Sequence, residues 1–286
     1  MNKMRRLLIS TLCVLFLIPV SIVSADSSGK YLCLGNDLSD EQKSIVLDLL
    51  DIEEDELDDW EIITVTNAEE HEYLDDYLSS SVIGTYAISS ASIETSDTTG
   101  ITVTTTNINY CTSGMYENAL ATAGVENASV HVVAPTEITG TAALVGIMKA
   151  YEDMTGEEID DDAKEAATEE LVTTGEISES IGTDEAEQLI ADVKAEVTSS
   201  EDSLSTSELE EIIEESAEKL DITLTDDEID SIVSLMKKID DLDLDYEQLY
   251  EQAKSIYQEL KSNESLWSNI KSFCKTILEA ILSLFE

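Results

Sequence analysis

The sequence predicts an α+β protein in which a ferredoxin-like antiparallel sheet module, of the order βαββαβ, precedes an all-α acidic helical domain. Three observations support this fold class. Two runs rich in β-branched residues, 82–95 and 101–110, flank a cluster of turn-forming residues. Helical and strand patterns alternate up to about residue 136. Beyond residue 139, apolar residues recur only at helical spacing.

The first half is expected to contain this module with one helix added in front. Residues 26–37 are interpreted as a short polar leader. Ser39 and Gln42 form a capping box for a helix that ends at Leu50, and an acidic, solvated connection follows it. The predicted module comprises strand 60–66, helix 68–78 capped by Asn67, a hairpin of 82–95 with 101–110, a helix from Thr112 to Gly124, and strand 129–134 stopped by Pro135.

The second half is predicted to be helical throughout. Its first helix carries a stripe of small residues, Ala143, Gly146 and Ala150, which would let another backbone approach closely. Further helices are expected at residues 159–173, 184–198, 208–220, 226–239 and 246–262, two of them with capping boxes at Ser205 and Thr225. The predicted domains are a signal peptide at 1–25, an α+β domain at 26–136, an acidic helical domain at 137–262 and a C-terminal amphipathic helix at 263–286.

Residues 1–25 have the pattern of a secretory signal peptide. A basic start is followed by the apolar run 7–22, and small residues precede an expected cleavage after Ala25. An uncleaved membrane anchor is the less favoured alternative, because Pro19 and the small residues fit processing. We therefore expect a secreted, extracellular or cell-envelope-associated protein.

The charge of the chain restricts its partners. The formal net charge is −48, and without residues 1–25 the chain keeps twelve lysines, no arginine and 63 acidic residues, giving −51. Such a chain repels phosphate backbones and anionic headgroups, so we expect no nucleic-acid partner and no binding to an anionic membrane surface. Most of the acidity is interpreted as a solvated surface.

Three cysteines remain after the expected cleavage: Cys33, Cys111 and Cys274. Export permits a disulfide, and Cys33 with Cys111 is the candidate pair because both flank elements of the first domain. The alternative is that these residues are small buried hydrophobes. Their spacing is not that of a zinc site.

The sequence contains no motif of a known catalytic or cofactor site, and we predict no cofactor. Structural roles are favoured for His71 and His131. Asp241, Asp243 and Asp245 match the first ligand positions of a calcium loop, but Tyr246 and Gln252 occupy positions that require Gly and Glu. The three aspartates are therefore only weak metal candidates, and weak calcium binding is the most that we expect.

The last helix, 266–285, has a broad apolar face with few charges. Packing into the helical domain, contact with a partner or a second copy, and membrane contact are the three roles considered for it. The candidate contact residues are Trp267, Ile270, Phe273, Ile277 and Ile281.

Several short motifs carry a resemblance to a known family. They are Leu34-Gly35 with residues 38–42 (LSDEQ), residues 115–120 (MYENAL) with 123–125 (AGV), residues 130–135 (VHVVAP), residues 140–144 (GTAAL) and residues 149–152 (KAYE). Over about residues 34–260 the chain resembles the YpuA-like family of secreted bacterial proteins, known as domain of unknown function 1002. This resemblance implies an exported protein of Gram-positive type, and it implies no particular activity, cofactor or catalytic residue.

Two functional hypotheses follow. The first is an exported, non-catalytic binding or assembly protein of the cell envelope or exterior. The alternative is a secreted hydrolase that uses a pair of acidic residues, since 63 acids offer many such pairs. Sugar-cleaving sites usually need aromatic platforms, and Trp60 and Trp267 are the only tryptophans in the chain. The binding protein is therefore the first hypothesis.

Overall fold

A mixed five-stranded sheet lies at the centre of the protein in the computed structural model, which describes residues 29–96, 100–200, 203–242 and 244–262. The strands are β1 (Lys30–Gly35), β2 (Glu61–Val65), β3 (Ser90–Thr95), β4 (Ile101–Ile108) and β5 (Ala128–Ile138). Their order in the sheet is β2-β1-β3-β5-β4. β1 and β2 are parallel, as are β4 and β5, while β3 is antiparallel to both of its neighbours. Four strands therefore point in one direction and β3 in the other.

Helices surround this sheet and fill the second half of the described chain. They are α1 (Asp40–Leu50), α2 (Asn67–Leu74), α3 (Ser80–Ile83), α4 (Ser113–Thr122), α5 (Thr141–Thr155), α6 (Asp161–Ile181), α7 (Thr183–Thr198), α8 (Thr206–Lys219), α9 (Asp226–Asp240) and α10 (246–262), with a 3-10 helix at Glu54–Asp59. The capping boxes predicted at Ser39, Ser205 and Thr225 are all confirmed. No helix in the described ranges has the length and apolarity needed to cross a membrane.

The prediction of a polar leader at 26–37 is wrong, because residues 30–35 form the strand β1. β1 lies between β2 and β3, and Tyr31, Leu32 and Cys33 are all buried. A strand that is buried on both faces has no alternation of polar and apolar residues. So short an apolar run therefore gives little periodic signal in the sequence.

The predicted hairpin and the ferredoxin-like order are also wrong. β3 and β4 do not pair with each other, because β5 lies between them and pairs with both. The chain leaves β4, crosses through α4 and returns as β5 parallel to β4, as a parallel pair requires. The sheet is consequently mixed, and much of the segment predicted as the first hairpin strand forms α3 and a loop.

Two smaller boundaries differ from the prediction. Thr66, rather than Asn67, caps α2 through a capping box with Glu69, and α2 ends at Leu74. β5 continues through Pro135 to Ile138. Its pairing with β3 ends at Val133, and a bulge in the β4 ladder spans this region, so no ladder hydrogen bond needs the amide that Pro135 lacks.

Both faces of the sheet are covered over part of their area. α1 packs through Val46, Leu47 and Leu50 onto the face that carries Leu32 and Leu34. α5 packs on the opposite face, where a Cβ at Gly146 would lie 2.8 Å from the Cβ of Cys33. The predicted small-residue stripe of α5 therefore does admit a neighbouring backbone, that of β1.

The apolar core continues from the sheet into the helical half. One cluster of buried residues extends from Tyr31 in β1 to Ile256 in α10. α4 lies at its centre, with every residue from Gly114 to Thr122 buried. The sheet covers α4 on one side, and α6 and α7 cover it on the other.

Polar groups of α4 are satisfied by an ion pair between α6 and α7. The ammonium of Lys194 donates to Glu170 Oε1 (2.7 Å), to the backbone oxygen of Asn118 (2.8 Å) and to the hydroxyl of Thr122 (3.1 Å). Thr122 in turn donates to the second oxygen of Glu170. Both charged side chains are 0% exposed. Burial raises the pKa of Glu170 and lowers that of Lys194, since it disfavours both charged forms.

We expect Lys194→Met to lower the free energy of unfolding by about 3–5 kcal/mol, because it leaves the Glu170 carboxylate buried without a counter-charge. Urea denaturation measures this change, with Lys261→Met at an exposed lysine as the control. Adding Glu170→Leu to Lys194→Met should restore most of the stability. Equal stability of the Lys194 and Lys261 variants would contradict this role of the ion pair.

Candidate functional site

The candidate site is a pocket at the edge of the sheet where β1, β2 and β5 end. In open sheets with helices packed on them, ligands commonly bind beyond the carboxyl ends of the strands. The pocket has a volume of about 260 Å³ and is lined by Glu70 of α2, residues 81–86 and 88–89 before β3, and residues 138–141 between β5 and α5. The strand directions therefore bring together residues about 70 positions apart in the chain.

Glu70 provides the only carboxylate among the described lining residues. It is placed there by α2, which begins directly after β2 because Thr66 caps it. One carboxylate oxygen accepts from Thr141 Oγ1 (2.9 Å) and the other from Asn67 Nδ2 (3.0 Å). Glu70 is 1% exposed. Burial raises its pKa above the ordinary value, and the nearby Asp37 adds to this effect.

Residues 84–89 form the outer wall of the pocket and are held at Gly84 and at Ala87. The backbone oxygen of Gly84 accepts from Asn67 Nδ2 (3.4 Å), and Gly84 has a φ of 83°, a left-handed conformation that favours glycine. The amide of Ala87 donates to Asp37 Oδ2 (2.8 Å). Between these anchors, the ring of Tyr86 is 69% exposed at the rim of the pocket.

His71 fastens α2 to the same wall. Its Nδ1 lies 2.6 Å from Asp75 Oδ1, and its Nε2 lies 3.2 Å from the oxygen of Gly84. Both partners are acceptors, so the pair of bonds requires the doubly protonated ring. The hydrogen bond to Asp75 is the main cause that raises the pKa of His71. In this structure His71 therefore positions the wall and does not line the cavity.

The floor of the pocket is the beginning of α5. Gly140 precedes this helix with a φ of 97°, and its oxygen accepts from the hydroxyl of Tyr116 (2.6 Å). The hydroxyl of Ser89 accepts from the amide of Ala143 (3.0 Å), which joins the floor to the wall. Thr139 and Thr141 complete the floor with hydroxyl groups 3.4 Å apart.

Other acidic residues with a raised pKa lie within the core and line no pocket described for this chain. Burial raises the pKa of Glu117 to about 8 and that of Glu187 to about 7. Glu117 accepts from the amide of Val103 in β4 (2.9 Å), and Glu187 accepts from the hydroxyl of Thr112. These carboxyl groups satisfy backbone and side-chain donors where α4 meets β4 and α7.

The aspartates proposed as metal ligands fall in the connection before α10. Asp241 caps the end of α9, Asp245 Oδ1 accepts from the amide of Gln248 (3.1 Å), and Asp243 lies outside the described residues. Within the described part of the chain, no group of His, Cys, Asp and Glu side chains could hold a metal ion. Calcium binding thus stays a prediction.

The predicted disulfide does not form in the structure. Cys33 and Cys111 are both free and buried, and Cys33 Sγ donates to the oxygen of Gly146 (3.0 Å). Burial raises the pKa of each thiol to about 12. Here both cysteines are small buried side chains, which is the alternative that the sequence left open. Cys274 lies outside the described residues, as do all the contact candidates of the last helix, Trp267, Ile270, Phe273, Ile277 and Ile281.

Sequence reasoning did not find Glu70, Tyr86 or Thr141. None of the three residues lies in a catalytic motif. The only local signals in these segments are the helical patterns of α2, which contains Glu70, and of α5, which contains Thr141. A carboxylate in the first helical turns after a strand is the feature that could have indicated Glu70, provided that the strand directions were known. The ferredoxin-like order predicted from the sequence gives β5 a different position in the sheet.

Comparison with known proteins places this chain in a family. Residues 34–256 match the model of a family described as protein of unknown function (DUF1002). The chain belongs to this family. It is also 40% identical over 281 residues to an uncharacterized protein, YpuA, of Bacillus subtilis (strain 168), with 96% of each chain covered. No solved structure is significantly similar to the chain. The resemblance carried by the motifs is thereby confirmed.

The pKa of Glu117 predicts how stability depends on pH. Because its folded pKa of about 8 exceeds the ordinary value of 4.5, its stabilising contribution is complete below about pH 4.5 and is lost as the pH rises through about 8. Glu117→Gln should keep the bond from Val103 and reduce the fall in unfolding free energy over this range by a few kcal/mol.

Urea denaturation at several pH values measures this effect. Glu211→Gln, at an exposed position of α8, is the control because it removes the same charge from the unfolded chain. If Glu117→Gln and Glu211→Gln showed the same dependence on pH, the protonation of Glu117 would not be linked to folding.

Proposed function

We propose that this protein is exported and binds a small ligand in the pocket at the carboxyl ends of the strands, without catalysing a reaction. The observation that carries the proposal is the convergence of a buried carboxylate, Glu70, and an exposed aromatic ring, Tyr86, on one cavity. Binding pockets combine apolar walls with a few well-placed polar groups. Here Val82, Ile83, Ile88 and Ile138 provide the apolar walls, and serine and threonine hydroxyl groups line the same cavity as Glu70.

The composition of the pocket favours binding over hydrolysis. A glycosidase of the acid-pair type needs two carboxyl groups on opposite sides of the scissile bond, about 5–10 Å apart. Glu70 has no second carboxylate beside it among the described lining residues. Glu117 and Glu187, whose raised pKa values would suit a general acid, are enclosed between helices and sheet. The acid-pair hydrolase therefore has less support.

The partners proposed for this binding protein are limited by charge. A formal net charge of −48 disfavours nucleic acid and anionic membrane surfaces. Assembly with an envelope protein or with a second copy through residues 263–286 stays a prediction, since these residues lie outside the described structure.

Export is tested by fractionation of the source cells. The basic and apolar pattern of residues 1–25 predicts that the protein appears outside the cytoplasmic membrane with a mass corresponding to a chain that begins at Asp26. Intact-mass measurement of the medium, wall and membrane fractions checks both points. A version with residues 2–25 deleted is the control and should stay in the cytoplasm. Recovery of the full-length chain from the cytoplasm alone would refute export.

Ligand binding is tested by blocking the pocket. Thr85 is exposed at the rim, so Thr85→Trp should obstruct the cavity without disturbing the core, and Thr183→Trp on α7 is a matched exposed control. In a thermal-shift screen of sugars, amino acids and nucleosides, we expect a ligand that raises the melting temperature of the wild type and of Thr183→Trp by several degrees, but not that of Thr85→Trp. Equal shifts in all three proteins would place the binding elsewhere.

A further inference from the structure

The buried glutamates of this chain differ in their partners. Four glutamates are almost fully buried among the described residues: Glu70, Glu117, Glu170 and Glu187. Glu170 is paired with the ammonium of Lys194 at 2.7 Å. The hydrogen bonds to Glu70, Glu117 and Glu187 come from neutral amide and hydroxyl groups. A buried carboxylate whose hydrogen bonds come only from neutral donors is unfavourable, so a cation brought into contact with it is stabilised.

Glu70 differs from Glu117 and Glu187 because it lines a cavity that a ligand can enter. Glu187 packs against Gly114 so closely that a Cβ there would overlap the carboxylate, and Glu117 is enclosed between α4 and β4. Neither lines a pocket described for this chain, whereas Glu70 lines the cavity. The charge of His71 acts on Glu70 from outside the cavity, because both ring nitrogens are bonded to Asp75 and Gly84, whereas the negative charge of Asp37 favours a further cation.

The remaining lining residues indicate what would carry this cation. They include no lysine, arginine or histidine, so an anionic ligand would find no counter-charge. Five serine and threonine residues, Ser81, Thr85, Ser89, Thr139 and Thr141, offer partners for the hydroxyl groups of a polyol. The ring of Tyr86 can stack on a sugar or contact an ammonium group at its face. The volume of about 260 Å³ equals that of about nine waters, which suits one monosaccharide.

We propose that the pocket binds an amino sugar of hexosamine size, with its ammonium group against the carboxylate of Glu70 and its ring against Tyr86. This inference rests on the proposed function, because it assigns a ligand class to the same pocket. The ammonium supplies a cationic hydrogen-bond donor, which Glu70 lacks among its hydrogen-bond partners in the protein. The hydroxyl groups of the sugar bond to the floor and wall.

The test is an NMR titration of the isotopically labelled mature protein with D-glucosamine and, separately, with D-glucose at neutral pH. The two sugars differ only in the ammonium group that replaces one hydroxyl, so glucose is the matched control. We expect glucosamine to shift the amide signals of Gly84, Tyr86 and Gly140 with a Kd of about 1 mM, a typical value for so small a ligand. Glucose should bind about tenfold more weakly.

Two variants test whether Glu70 and Tyr86 are responsible for the binding of glucosamine. Glu70→Gln keeps the shape of the side chain and removes its charge, so it should abolish the preference for glucosamine while leaving weak binding of both sugars. If this variant does not fold, Tyr86→Ala at the exposed rim takes its place and should weaken glucosamine binding about fivefold. Unchanged glucosamine affinity in both variants would overturn the proposal.

The outcomes separate this inference from the proposed function. Equal affinities for glucose and glucosamine at the pocket would overturn the role of the ammonium group but keep the pocket as a binding site. Unshifted pocket amides with both sugars would overturn the amino-sugar ligand. The Thr85→Trp screen would then decide independently whether the pocket binds any other small molecule.

Discussion

The burial of α4 on all sides is the constraint on which the rest of the structure depends. A helix between a sheet and a second helical layer has no solvated face, so its polar groups depend on partners within the protein. Lys194 and Glu170 provide such partners at Asn118 and Thr122, and Glu187 does so at Thr112. These contacts bind α6 and α7 to the sheet through α4. The helical half therefore shares one core with the strands.

The same crossover determines where the pocket lies. Because α4 returns the chain parallel to β4, β5 ends at the edge of the sheet where β1 and β2 also end. The helices α2 and α5 begin directly after β2 and β5, so their first turns meet at this edge. Glu70 and Thr141 are thereby brought within 2.9 Å of each other. A sheet of ferredoxin-like order would not bring the first turns of α2 and α5 together.

The shortage of positive charges in this chain affects both the core and the pocket. The chain has few cations for its 63 acids, and several of its lysines hold helices and strands together, as Lys149 does with Glu69 and Lys238 with Glu169. Lys194 neutralises Glu170 inside the core. Glu70 receives only neutral donors in its pair of hydrogen bonds. A site that satisfies a carboxylate incompletely in this way is suited to a cationic ligand.

The sequence by itself determined the local features of this protein. The capping boxes at Ser39, Ser205 and Thr225, the start of α4 at Thr112 and the small-residue stripe of α5 depend on neighbours within a few positions, so they could be predicted. Only the tertiary structure decided the position of β1, the insertion of β5 between β3 and β4, and the pocket that joins Glu70, Tyr86 and Thr141. Strand order and direction depend on how segments far apart in the chain pack together. No local pattern in a single sequence shows which of these segments will meet.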